Sequence, residues 1–489
     1  MDWFDAPDYW LSRFLFERAL GGIYVVAFLV AINQFRPLLG ERGLLPVPEF
    51  VAAVRFRRYP SLFFWRYSDR LLLTVSWLGL VVAASIVIGL PQAGPFWVPM
   101  LAWLLLWALY LSIVNVGQTF YSFGWESILC EVGALAVFLG AADHPPSILL
   151  VFLMRWLLFR IEFGAGLIKW RGDQCWRDLT CLQYHHETQP MPNPLSWYFH
   201  HLPARLHKVE VLANHFAQLV VPFGLFAPQP VASIAGAIIV VTQSWLMLSG
   251  NFSWLNAITI TLAIFAFSDS TLTHVLPFDR PDLSDPPVVF TALVIALAAL
   301  VVWLSWWPVR NMLSRRQLMN FSFNRLHFVG AYGAFGHITK TRNEIVVEGT
   351  DDAALTDTTT WRAYEFRGKP GDPARRPPQV APYHLRLDWL MWFAAMQPPN
   401  YHPWVFALLA RLLEGDRATL KLLRANPFPD APPRFVRARW YRYRFTTRAE
   451  RKETGAWWAR TLIDEYLPPL RLDDTGDLVP ASPRSRSGR

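Results

Sequence analysis

The chain has 489 residues, of which 53% are hydrophobic and only 17% charged, and its net charge is +9. That length exceeds one ordinary domain, and a charged share below the roughly 25% of soluble proteins excludes a wholly aqueous fold. No nucleic-acid-binding motif accompanies the positive charge, so it reads as contact with anionic headgroups: the implied partner is the lipid bilayer, with no nucleic acid.

The start, MDWFDAPDYW, is acidic and does not read as a cleavable signal peptide. Apolar stretches near the roughly 20 residues that a bilayer requires are predicted over 14–35, 71–91, 96–115, 125–142, 147–169, 211–227, 229–249, 252–268 and 287–307. The sixth and eighth are the weakest. The fold expected is a membrane α-helical bundle of about nine helices (eight or nine). Prolines 91, 95, 145, 146, 228, 286 and 287 punctuate the breaks. Residues 1–310 thus form a polytopic transmembrane domain with a structured loop at 170–210. Loops rich in Arg (36–70, 170–210 and after 310) fall on one side. Asp2, Asp5, Asp8, Asp279, Asp282 and Asp285 fall on the other, and the positive-inside rule puts the Arg-rich side in the cytoplasm.

After residue 310 the pattern changes to short aromatic or β-branched segments separated by Gly, Pro, Asn and Asp: HFVGAYGAFGHI, NEIVVEGT, WRAYEFRG, PYHLRLDWLMW and WYRYRFT. Residues 311–472 are therefore expected to form a mainly β, sandwich-like soluble domain. An amphipathic helix is expected over 404–424. The polar, Pro/Ser-rich stretch 473–489 is expected to be a disordered tail.

The fifth apolar segment, with MRWLLFRIEFGAGLIKWRGDQCWRDLTC, is the most informative. Arg155, Glu162 and Lys169 recur every seven residues on one helical face, and Arg160 adds a further charge. Ionisable groups within a bilayer cost at least about 2–3 kcal/mol each and face a bundle interior or a cavity. They read either as a polar membrane site, with Lys169 as a base tuned by Glu126, Arg160 and Glu162, or as ion pairs that lock helices together. In the fourth segment Glu126 is placed to pair with a cation of the fifth. Gly164 and Gly166 suit close helix approach.

The loop 170–210 is dense in residues that a plain connector lacks. Asp173, Trp176, Tyr184, His185, His186, Glu187, Gln189, Asn193, Trp197 and His200 read as binding candidates, with Trp125 before them and Asn251 after. The order HHE…HH fits no zinc spacing and HExxH is absent, so no metal ligands are assigned and the loop reads as held by hydrogen bonds. The chain has three cysteines. Cys175 and Cys181 are candidates for a local disulfide in an oxidising compartment, for unpaired thiols, or, less in keeping with their C-x5-C spacing, for redox chemistry. No P-loop, dinucleotide fingerprint or nucleophile elbow is present, and no cofactor is named.

These strings also carry a resemblance. GAGLIKWRGDQCWRDLTCL and YHHETQPMPNPLSWYFHHLP, with YSFGWES before and SGNFSWLNAITI after, are similar to signatures of the lipase maturation factor family, and the chain looks like a bacterial member. In the C-terminal half NEIVVEGT, WRAYEFRGKPGDPARRPPQVAPYHLRLDWLMWFAA and NPFPDAPPRFVRARWYRYRFT match as well. The resemblance implies a chaperone-like maturation factor for secreted, lipase-like clients. Vertebrate members reside in the endoplasmic reticulum membrane, with this loop and the C-terminal domain facing the lumen. In a bacterium that corresponds to the inner membrane with the C-terminal domain in the periplasm, against the positive-inside reading. A fainter likeness, AGLIKW followed by Asp173 and Trp176, resembles the vitamin K-dependent carboxylases and implies Lys169 as an essential base. Their partner His has no match, and Glu126 falls near its place.

Overall fold

The structure is a computed structural model that describes residues 3–276 and 280–481. Asp2, Asp279 and residues 482–489 of the expected tail lie outside the described residues. A helical N-terminal region with several apolar helices is followed by a C-terminal domain that contains a sheet.

A helix forms in each apolar stretch: α1 (Trp10–Leu39), α2 (Asp69–Val87), α3 (Trp97–Val116), α4 (Gly124–Ala136), α5 (Ile148–Arg171), α6 (Ala204–Leu219), α7 (Val231–Ser249), α8 (Leu255–Ala263) and α9 (Val288–Leu313). Side-chain hydroxyls of Ser68 and Ser147 accept the first-turn N–H groups of α2 and α5, as an N-cap does. Among the described residues, five helices are long and apolar enough to cross a membrane by length and composition: Pro7–Leu39, which includes α1, then α2, α3, α7 and α9. α5 has the length but carries Arg155, Arg160, Glu162 and Lys169. α4 is short and almost wholly buried.

Trp77, Val81, Ile234, Val241, Val302 and Trp303 are exposed on these helices, a surface that suits lipid rather than water. α6 is amphipathic in the inverted sense: Leu206, Leu212 and Phe216 are exposed, while His207, His215 and Gln218 are buried.

The C-terminal domain departs from the expected sandwich. Its described strands, β1 (Arg342–Thr350), β2 (Arg362–Ala363), β3 (Phe435–Phe445), β4 (Trp458–Leu472) and β5 (Leu478–Pro480), form one antiparallel sheet in the order β2-β1-β3-β4-β5. Helices pack on this sheet: α10 (Arg386–Ala394) against β1, and α11 (Pro403–Leu413) against β3 and β4. The reason lies in PYHLRLDWLMW and the two residues after it, where Leu387, Leu390, Met391 and Ala394 recur at helical spacing and are all buried. The expected helix 404–424 is interrupted by Gly415, which takes a left-handed φ of 67°; a short helix, Arg417–Leu420, follows. In β3 the buried set passes from Val436 and Ala438 to Tyr441, Tyr443 and Phe445, and the change of phase coincides with register shifts against β4. Part of the stretch expected as tail is taken up by β5, which pairs with β4 at Leu470–Leu472.

HFVGAYGAFGHI forms no strand, apart from an isolated bridge between Ala331 and Phe321. Its polar groups go to the bundle instead. The Gly330 N–H and the Tyr332 hydroxyl donate to Glu131 on α4 (3.0 and 2.5 Å), and the Gly330 carbonyl accepts from Arg160 on α5 (2.8 Å).

The two halves are joined by a buried ion pair. Arg386, at the start of α10, donates to Glu126 Oε1 on α4 (2.7 Å) and to the Phe120 carbonyl (2.8 Å), and its guanidinium lies 3.4 Å from the Tyr121 ring centre. Tyr110 on α3 donates to the other Glu126 oxygen. Gln34 on α1 bridges the backbone of His384 and Arg386 (2.6 and 3.0 Å). Removing one member of such a pair leaves an uncompensated buried charge and costs about 3–5 kcal/mol. Arg386→Met is expected to lower the thermal unfolding midpoint in detergent sharply. Adding Glu126→Gln to Arg386→Met is expected to restore part of the loss; a simply additive loss would show that the pair is not coupled.

Candidate functional site

A cavity of about 1090 Å³ lies between α5, α6, α7, α8, the 170–190 loop, the 315–339 segment and α10. Among the sequence-predicted residues, Trp125, Glu162, Lys169, Trp176, His185 and His186 line it. Glu126 and Arg160 do not. Glu126 pairs with Arg386 of the C-terminal domain and not with the fifth helix; the carboxylate that meets that helix is Glu131, ion-paired with Arg160. The four charges read as one polar site are therefore divided between two buried locks and one cavity wall. Arg155 is a third structural group, donating to the Phe265 and Leu225 carbonyls and the Tyr9 hydroxyl.

Lys169 ends α5 and is buried. Its ammonium donates to Gln218 Oε1 (2.8 Å) and Asn214 Oδ1 (3.2 Å) on α6 and lies 5.3 Å from the Trp176 ring centre. Among the described residues it forms no ion pair. The approach of α6 depends on Gly166, where a Cβ would lie 2.8 Å from Leu219 and 3.0 Å from Gln218; at Gly164 a Cβ would lie 2.4 Å from the Tyr332 carbonyl oxygen. Glu162 accepts from Gln243 on α7 (2.6 Å), whose own oxygen accepts from Asn256 on α8 (2.6 Å). A cation held only by neutral amides and a carboxylate held by one amide thus share the wall of a largely aromatic and aliphatic cavity. Such a site can hold an anionic or polar group, or move a proton at Lys169 Nζ.

Cys175 and Cys181 are joined in a disulfide. Asp173 caps the short helix Gln174–Arg177, and the Trp176 indole donates to the Phe335 carbonyl (2.8 Å). Tyr184 packs beside this bridge, and Lys340 lies 5.7 Å from its ring centre. His185 stacks on Phe252 and meets Phe335 edge-on. Burial, together with the positive charge of Lys169, holds His185 at about 3. Burial likewise lowers His186 well below the usual imidazole range, and His200 to about 4. All are neutral near pH 7.

The remaining loop candidates are structural fasteners. Gln189 donates to the carbonyls of His186 and Ser249 and to the Ser196 hydroxyl. Asn193 accepts from the Leu195 and Ser196 N–H groups and donates to the Met247 and Leu248 carbonyls. Glu187 accepts from the Phe445 N–H of β3 (2.7 Å), with His200 Nε2 at 3.6 Å. The Trp197 indole donates to the Thr446 carbonyl (2.9 Å) and its ring packs on Arg451. Asn251 donates to the Pro192 and Pro378 carbonyls and accepts from the Val380 and Ala381 N–H groups. Arg342 of β1 pairs with Glu344 and donates to the carbonyls of Glu187, Gln189 and Pro190.

Some site residues escaped the sequence reading. Glu210, Asn214 and Gln218 face the cavity from α6, and with His207 they follow an i, i+3, i+7, i+11 spacing. A polar stripe on an otherwise apolar helix is a legible signal.

Residues 11–274 match the family model "Lipase maturation factor transmembrane domain", and residues 328–468 match "Lipase maturation factor C-terminal domain". This chain belongs to the lipase maturation factor family. Lipase maturation factor 1 of Homo sapiens is 42% identical, covering 95% of this chain and 89% of its own length. The Mus musculus protein of that name is 42% identical over 95% of this chain and 88% of its own length. Lipase maturation factor 2 of Homo sapiens is 28% identical over 95% of this chain and 83% of its own length. No solved structure matches. Both family regions contribute to the cavity, since α5–α8 fall in the first and Trp389 and Trp392 in the second.

The fastening of the loop is testable. Asn251→Ala strands four backbone groups at the junction, and at about 1–3 kcal/mol for each one that water fails to reach, the loss is expected to exceed about 2 kcal/mol. Trypsin cleavage within the Arg-containing 170–210 segment should then outpace that of the wild type; unchanged cleavage would show the junction to be dispensable.

Proposed function

We propose that this multi-pass membrane protein is a maturation factor for secreted lipases, acting in the secretory pathway as a chaperone-like device. The observation that carries the reading is similarity to human lipase maturation factor 1 over 95% of the chain, through both the membrane and the C-terminal regions. The geometry agrees with a client-handling role. The bundle, the 170–210 loop and the sheet domain are fastened into one body by Glu126–Arg386, Asn251, Glu187 and Trp197. Clients would meet that composite surface.

We place the loop and the C-terminal domain on the oxidising face of the membrane, the periplasm if the host is a bacterium and the membrane its inner one. The Cys175–Cys181 disulfide supports this side. The Arg-rich loops argue for the opposite one by charge, but Arg342, Arg376 and Arg386 show how arginines here serve packing. The full bundle of about nine helices crosses the bilayer in this reading, with α4 and α8 shielded by their neighbours.

A second reading rests on Lys169, a cation held by amides at the cavity wall. Here the protein is a membrane enzyme in which Lys169 is the base and Glu162 its neighbour.

Co-expression with a secreted lipase, in a cell lacking its own maturation factor, is expected to raise the specific activity of the secreted lipase several-fold. No rise above background with well-expressed protein would sink the maturation reading for that lipase. Lys169→Met, checked for normal abundance and unfolding temperature, separates the two readings: retained lipase activation leaves the lysine out, and its loss with an intact fold favours chemistry at Lys169. Membrane-impermeant maleimide applied to intact cells, with reductant, is expected to label Cys175 and Cys181. Labelling by permeant reagent alone, without reduction, would reverse the orientation.

A further inference from the structure

The cavity wall holds a cluster that the maturation reading does not use. His207 and Glu210 stand one turn apart on α6, with His207 Nδ1 3.1 Å from Glu210 Oε2. His186, from the short helix Leu182–Thr188, brings its ring centre to 5.6 Å from that of His207. One donor atom from each of the three lies within 4.8 Å of the others. His186 is 2% exposed, and neither of its ring nitrogens has a hydrogen-bond partner. A buried imidazole with both nitrogens unsatisfied is a costly exception that calls for a ligand.

We propose that His186, His207 and Glu210 form a binding site for a divalent transition-metal ion of the zinc class. Two imidazoles and one carboxylate are a familiar three-ligand zinc set with a fourth position left for water or another ligand. Imidazole nitrogens disfavour magnesium and calcium, which take oxygen ligands. The surrounding contacts orient two of the three ligands as metal sites require. His207 Nε2 faces the His200 carbonyl at 3.4 Å, which leaves Nδ1 for the metal. The Trp245 indole donates to Glu210 Oε1 (2.9 Å), which leaves Oε2. The separation of His207 Nδ1 and Glu210 Oε2 already suits two ligands at about 2.0–2.2 Å from one ion; His186 closes in from within 4.8 Å to complete the set. Since His186 and Glu210 line the cavity, the fourth position opens into it. The spacing escapes sequence scanning because His186 lies twenty-odd residues before the His-x-x-Glu pair, across the turn at 201–203, and the adjacent His185, His200 and His201 mask it.

The test uses the full chain in detergent, purified without a histidine tag and stripped with chelator. Titration with Zn2+ is expected to show one equivalent bound below micromolar concentration. Co2+ in its place should give the visible absorption of a four-coordinate site with imidazole ligands. His207→Gln and Glu210→Gln should each weaken Zn2+ binding by more than the roughly 10–100-fold that loss of a supporting contact costs. His201→Gln should leave binding unchanged. Because a ligand variant could also unfold the protein, the wild-type Co2+ spectrum stands as an independent readout. A wild type that binds no Zn2+ at tens of micromolar, a Co2+ spectrum of a six-coordinate hydrated ion, or ligand variants that match the wild type with their fold intact would each overturn the assignment.

Discussion

A charge placed inside a bilayer protein must find a partner there, and the short helix α4 carries two carboxylates whose opposite charges lie outside the helices preceding it. Glu126 is completed by Arg386 and Glu131 by Arg160, with Gly330 and Tyr332. Three of these four partners lie beyond α9. The membrane half is thus electrostatically unfinished by itself, and the C-terminal half acts as its counter-charge as well as its cap. The cavity follows from this constraint: it is the space left where the C-terminal segment, pinned at Glu131 and Glu126, spans the ends of α5–α8.

The bundle was legible because hydropathy is summed over many residues, and a helix formed in every stretch it marked. The C-terminal sheet was legible in NEIVVEGT, WRAYEFRG and WYRYRFT, which became β1, the two-residue β2 and the end of β3. β4, the longest strand, gave no signal: its Arg460–Glu465 stretch is exposed and two prolines, Pro468 and Pro469, follow. HFVGAYGAFGHI misled because its alternation is served by the side chains of α4 and α5 and not by a neighbouring strand. Spacing put Arg155, Glu162 and Lys169 on one face, but it could not tell that Arg155 meets carbonyls, Glu162 an amide and Lys169 a cavity. Pairing is a property of the neighbours, which lie far along the chain.

α6 shows how the same helix serves two solvents. Its apolar face looks outward and its polar face inward, the reverse of a helix on a water-soluble protein. Gly166 brings that polar face close enough for two amides to replace a carboxylate as the partners of Lys169. An amide satisfies the ammonium's donors without cancelling its charge. Lys169 therefore stands at the cavity wall with Glu162 as the carboxylate beside it, whereas Arg160 and Arg386 are ion-paired with Glu131 and Glu126.

The distance along the chain between these partners has a consequence for how the protein is made. Glu126 is synthesised 260 residues before Arg386, and Glu131 199 residues before Gly330. Most of the helices leave the insertion machinery while both carboxylates still lack their final neighbours. The bundle closes only when the last third of the chain arrives and threads back against it. A chain halted before residue 386 thus lacks both the arginine that completes Glu126 and the helix that carries it onto the bundle.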